Sequence, residues 1–114
     1  GTENIIMACI ALDREVNNGG FDQFFRNSSR RWAAFAPDAF LHIGRREAAA
    51  IARRAIRAVG RFQTPAEFEQ KLQVPNTRRD DKLAECDIAF YQRTGISDSI
   101  LAFASSHPEG LLRH

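Results

Sequence analysis

Cysteine is scarce in this chain: Cys9 and Cys86 are the only two among 114 residues. Two are too few for a disulfide framework, and their spacing suits no metal-binding finger. Both fall on apolar helical faces, so they read as buried free thiols of an intracellular protein. Histidine is equally sparse. His42, His107 and His114 stand apart, none with a second ligand three or four residues away, so neither a metal nor a cofactor is expected. No run approaches the roughly 20 apolar residues of a membrane span. The apolar residues 5–12 follow an acidic start and lack the basic lead of a secretion signal. Period-two alternation is missing too, which leaves little to build a sheet. Neither a Gly-x-Ser-x-Gly elbow nor a Walker spacing occurs. Together these absences point to a cytoplasmic protein with no membrane association.

What is present is helical. One ordinary core is within reach of this length, and nine Phe supply most of its aromatic mass. The whole of 1–114 therefore reads as a single all-α domain of about six helices, irregular rather than up-down. Its start on Gly1 rather than Met reads as a trimmed or excised domain. Ile5, Cys9, Leu12 and Val16 recur at helical spacing over residues 3–16, and Asn17-Asn18-Gly19-Gly20 then stops the helix, because Asn and Gly tolerate the left-handed conformation. Phe21, Phe24 and Phe25 share one face of the next short helix, with Gln23 and Asn27 on the opposite face. The chain loosens over 28–31, makes a turn over 32–35, and resumes a helix from Pro37 to Ile43.

Residues 45–59 form the clearest helix, with Ala48, Ile51, Ala52, Ala55 and Val59 on one arc and Gly60 as its end. Thr64-Pro65-Ala66-Glu67 has the pattern of an N-cap, a first-turn proline and a capping box for a helix over 65–73. Residues 74–79 read as a loop. Residues 80–93 are helical with Leu83, Cys86 and Phe90 inward, and with Ala84 and Tyr91 on the same broad apolar arc. Asp98 is a fair N-cap for a last helix to about His107.

Charge is unevenly spread. Residues 26–61 carry nine Arg against Asp38 and Glu47, while the flanking stretches are acidic and the chain nets only +2. Arg46, Arg53, Arg54, Arg57 and Arg61 share the polar arc of helix 45–61, a face that either meets water or contacts phosphates. Asp87 falls within an apolar arc. A half-buried carboxylate needs a partner, so it either accepts backbone N–H bonds from the Asn17–Phe21 turn, pairs with an Arg, or serves as a general acid or base. The glycines of the turn could cradle a phosphate only with a following Lys and Ser/Thr, which are absent.

The run Glu15-Val16-Asn17-Asn18-Gly19-Gly20-Phe21-Asp22-Gln23-Phe24-Phe25, with Asn27-Ser28 after it, resembles the hallmark of a bacterial domain family of unknown function associated with DNA-mimic proteins. Ala39 to Gly44, Asp87 with Phe90-Tyr91, and Ile100 to His107 are similar to its later elements. The resemblance implies an all-helical fold, no established enzymatic activity, and display of carboxylates in place of DNA phosphates. The residues themselves, with a pI near 8.9 and an arginine face, point to a non-catalytic domain that binds a protein partner through charged helical faces. The alternatives are nucleic-acid contact through the Arg face, and an uncharacterised enzyme using Asp87, Gln23 and Asn27.

Overall fold

Residues 1–108 are described by the computed structural model, so His114 lies outside them. The helical spacings of the sequence become six α-helices: α1 (Thr2–Arg26), α2 (Ala36–His42), α3 (Arg46–Val59), α4 (Ala66–Leu72), α5 (Thr77–Tyr91) and α6 (Ile96–Ser106). A short 3-10 helix, Ser28–Trp32, links α1 to α2, where a looser chain is expected from the sequence. No strand occurs among the described residues.

Helix α1 is the hub and packs against α2, α4, α5 and α6, while α3 packs on α2 and α5. Its apolar stripe of Ile5, Cys9, Leu12 and Val16 is buried, as are Phe21, Phe24 and Phe25 beyond the break. From α3 the core receives Ala48, Ile51, Ala52, Ala55 and Val59, and from α5 Leu83, Cys86 and Phe90. Small alanines on α3 let it lie close to its neighbours.

Six phenylalanines run through this core as a file. Phe40 meets Phe90 edge-on at 6.2 Å and Phe90 meets Phe21 edge-on at 6.1 Å. Phe21 lies 6.1 Å from Phe25, which stacks on Phe68 at 4.8 Å, and Phe68 touches Phe62 at 4.2 Å. Edge-to-face and offset pairs at these separations are favourable beyond the area they bury.

Several helix ends differ from the expected ones. Helix α5 starts at Thr77 rather than residue 80, because Asn76 accepts the Arg79 N–H at 3.0 Å and caps it. Helix α4 begins without a side-chain cap from Thr64, and Glu67 instead accepts the Gln63 N–H at 3.2 Å. Helix α6 starts at Ile96 behind Gly95 in the left-handed region, which leaves Asp98 in the first turn rather than at the cap. Ala84 and Tyr91 lie on the exposed side of α5, not in the core. The arc of α5 facing the core is narrower than the apolar arc of its sequence.

Candidate functional site

The Asn-Asn-Gly-Gly stretch is a break within α1. Gly19 (φ −155°, ψ 19°) and Gly20 (φ 78°, ψ −179°) leave helical geometry, and the chain re-enters the helix at Phe21. Such a break frees carbonyls on its N-terminal side and amides on its C-terminal side. Helix α5 answers both. The Tyr91 hydroxyl donates to the Val16 carbonyl at 3.0 Å, and one turn earlier Asp87 Oδ1 accepts the Phe21 N–H at 2.7 Å. Phe90 lies edge-on to Phe21 between these two bonds in sequence. The Asp-x-x-Phe-Tyr spacing is therefore the spacing of a clamp that spans the break.

Gly20 is required twice. Its positive φ disfavours a side chain, and a Cβ there would stand 2.5 Å from Asp87 Oδ2. Gly19 approaches the Gln23 side chain in the same way, with no room for a Cβ. Burial, together with the neighbouring Asp22, pushes the Asp87 carboxyl above the usual aspartate range, and the Phe21 N–H partly offsets this. Its first role in the fold is as an acceptor for an otherwise unpaired amide.

Gln23 and Asn27 face the other side. The Nε2 of Gln23 and the Nδ2 of Asn27, the latter at 3.2 Å, both donate to Glu15 Oε2, across the break from them. Asn17 donates back to the Asp13 carbonyl at 2.7 Å, and Asn18 is exposed. Asp87 thus serves one set of bonds, and Gln23 with Asn27 another. Glu15 and Tyr91 belong to the motif residues, but the bonds they make here were not expected from the sequence, which places Tyr91 on an apolar arc. Glu15 pairs with residues eight and twelve positions away, which no local helical rule relates.

Helix α3 ends at Val59, so Arg61 lies past Gly60 rather than on the helix face expected for it, and the five arginines divide into two groups. Arg53 lies 3.6 Å from Asp38, whereas Arg46, Arg54, Arg57 and Arg61 are exposed with no carboxylate within 4.0 Å among the described residues. Carboxylates elsewhere are largely committed. Asp22, Asp38, Glu47, Glu69 and Asp80 each pair with an arginine. Asp13, Glu15, Glu67 and Asp87 accept hydrogen bonds.

Arg79 is a further residue missed by the sequence reading. It is 6% exposed and donates to the carbonyls of Lys71 and Val74 at 2.8 and 2.9 Å, which closes the end of α4. The Asn76-to-Arg79 capping interval is the signal that could have found it.

The cysteines are buried and unpaired. Burial, with Asp13 nearby, pushes the Cys9 thiol up to about 12, and burial also raises Cys86. His42 is exposed at the end of α2, and His107 stacks on Phe103 at 4.1 Å. No group of three metal-ligating side chains occurs among the described residues. No described helix is long and apolar enough to cross a membrane.

A family model described as DMP19-like protein matches residues 1–107. No curated protein and no solved structure matches the chain.

Proposed function

The chain belongs to the DMP19-like protein family, and on that premise we propose that it is a non-catalytic, cytoplasmic domain of bacterial origin that binds a protein partner through its charged helical faces. The family is one of DNA mimics, and that link favours a DNA-binding protein as the class of partner.

The observation that carries the reading is the contrast between the two signs of charge. Most described carboxylates are tied to arginines or to N–H groups, while Arg46, Arg54 and Arg57 on α3, and Arg61 just beyond it, have no acidic partner among the described residues. Duplex DNA carries about one negative charge per 1.7 Å. Carboxylates interleaved with paired arginines make a poor copy of it, so the interaction we propose does not run through phosphate mimicry. The enzyme reading is disfavoured because Asp87, Gln23 and Asn27 hold the break in α1 from separate sides. The free arginines support one second reading, contact with nucleic acid.

The test is affinity capture from lysate of the native host, with and without nuclease treatment, with the natural domain and its Arg54→Glu/Arg57→Glu variant as baits. A protein held by the first and lost by the second is the expected result. A partner retained equally by both baits refutes the charged-face reading, and a partner lost on nuclease treatment favours the nucleic-acid reading.

A further inference from the structure

We infer that the C-terminal half of α3, the segment that follows it to the start of α4, and the adjoining surface of α5 form a docking groove for an acidic peptide segment that carries an apolar anchor side chain. This rests on the protein-interaction reading above and names the chemistry of the partner.

The groove consists of two neighbouring hollows that share Arg57. The outer one, about 680 Å³, lies over Ile56, Gly60 and Phe62, with Arg57, Arg61 and Glu67 around it. The inner one, about 260 Å³, lies between Arg54 and Arg57 of α3 and Lys82 and Glu85 of α5. The outer hollow is roughly the size that accepts one or two bulky side chains. Its apolar floor is built in. Phe62 is the outer end of the phenylalanine file and is braced by Phe68 at 4.2 Å. Gly60, at φ +112°, contributes no side chain where α3 ends.

The charges complete the argument. Arg54 and Arg57 stand three residues apart on α3, about 5 Å along its axis, and Arg61 stands just beyond the helix end, past Gly60, beside Arg57 on the outer hollow, so the three form one short basic stripe. None of them has a carboxylate within 4.0 Å among the described residues, and Lys82 faces Arg54 and Arg57 across the inner hollow. A ligand carboxylate arriving there need not displace an internal ion pair. Bidentate guanidinium–carboxylate bonds are the strongest it could make.

A phosphate backbone fits less well. Glu67 and Glu85 stand on the walls, and a stripe this short spans few phosphates. A peptide can place a neutral residue opposite each glutamate and an apolar one over Phe62. The observations therefore favour the acidic peptide over a nucleic acid.

The test is fluorescence anisotropy of the full chain with a labelled short peptide in which Asp and Glu flank a Phe-x-x-Leu pair. Two control peptides replace either Phe and Leu by Ser, or the acids by Asn and Gln, and a single-stranded oligonucleotide of equal length is the fourth probe. The parent peptide is expected to bind, with each control and the Arg57→Glu/Arg61→Glu variant weakening it about tenfold or more. Arg14→Glu, in a different surface hollow between α1 and α6, should leave affinity within about twofold. Binding of the Ser peptide as tight as that of the parent would show charge attraction alone and overturn the inference. So would tighter binding of the oligonucleotide with the same arginine dependence, or no binding of the parent. If the parent fails while the lysate partner is still lost on Arg54→Glu/Arg57→Glu, this inference falls and the interaction reading survives. Specific peptide binding without any lysate partner would have the reverse meaning. The peptide controls use the unmodified protein, so the outcome does not depend on a variant folding.

Discussion

Replacing Asp87 by Ala removes the acceptor of the Phe21 N–H, and the cost follows from the geometry at the break in α1. The bond is 2.7 Å long and partly buried, so its loss leaves an amide with neither a helical carbonyl nor full access to water. Such a group costs about 1–3 kcal/mol, and partial exposure of the site favours the lower half of that range. The carboxylate also lies at the positive end of the helical segment that begins at Phe21, which contributes a few tenths of a kcal/mol more. Asp87→Ala is therefore expected to destabilise by about 2 kcal/mol. Asp87→Asn keeps an oxygen acceptor and should lose less than about 1 kcal/mol. Gly20→Ala should be worse than either. It forces a side chain into a backbone conformation reserved for glycine, at about 1–3 kcal/mol, and its Cβ displaces Asp87 from the amide, since it would stand 2.5 Å from Oδ2. Because the same hydrogen bond is lost in both single variants, the double variant should be more stable than additivity predicts by roughly 1–2 kcal/mol. Urea denaturation followed by circular dichroism measures all four corners of the cycle. An Asp87→Ala change below about 0.5 kcal/mol, or strict additivity, would refute the clamp.

Further expectations follow from other parts of the molecule. The Asp87 carboxyl is raised in the folded state, so between its unfolded and folded values the folded chain holds more protons than the unfolded chain. Its contribution to stability then falls as pH rises through the window just above the ordinary aspartate value of 3.8. Denaturation midpoints across acidic pH should show Asp87→Asn gaining on the natural protein over that window, and parallel curves would contradict the shift. Arg79→Ala opens the end of α4 and leaves the Lys71 and Val74 carbonyls without their donor; a loss of about 2–4 kcal/mol in the same assay is expected. Tyr91→Phe removes a bond at a half-exposed ring and should cost only about 0.5–1 kcal/mol. Both thiols should resist an aromatic disulfide reagent at mildly alkaline pH until the protein unfolds. Cys86, at 5% exposure, should react before Cys9, at 0%. Rapid modification of Cys9 in the native state would show that the α1 core opens locally.

Most helices were legible because their signals are local. The stripe of α1, the alanine face of α3 and the Gly60 stop each depend on neighbours within a turn or two, and the structure places them as expected. Helix ends read less well where the capping group came from an unexpected position, as with Asn76 before α5 and Glu67 reaching Gln63. Asp87 was readable in outline, because a carboxylate on an apolar face must find a donor, and the turn was the nearest source of free amides. Gln23 and Asn27 were not. Their partner Glu15 lies across a break whose direction no periodicity encodes. The division of the α3 arginines into paired and unpaired ones was equally hidden, since it depends on where α2 brings Asp38.

The phenylalanine file has a consequence for how the molecule comes apart. Its rings come from α2, α5, α1, α4 and Phe62, two residues past Gly60, and all but Phe62 touch a ring from a distant part of the chain. No contiguous stretch owns a core that could persist alone, so partial unfolding of one helix would expose rings belonging to others. The domain should therefore melt in one cooperative step, with calorimetric and van't Hoff enthalpies in agreement. The slowest-exchanging amides should lie together in α1, α3 and α5, with no independently stable subset on either side of the break.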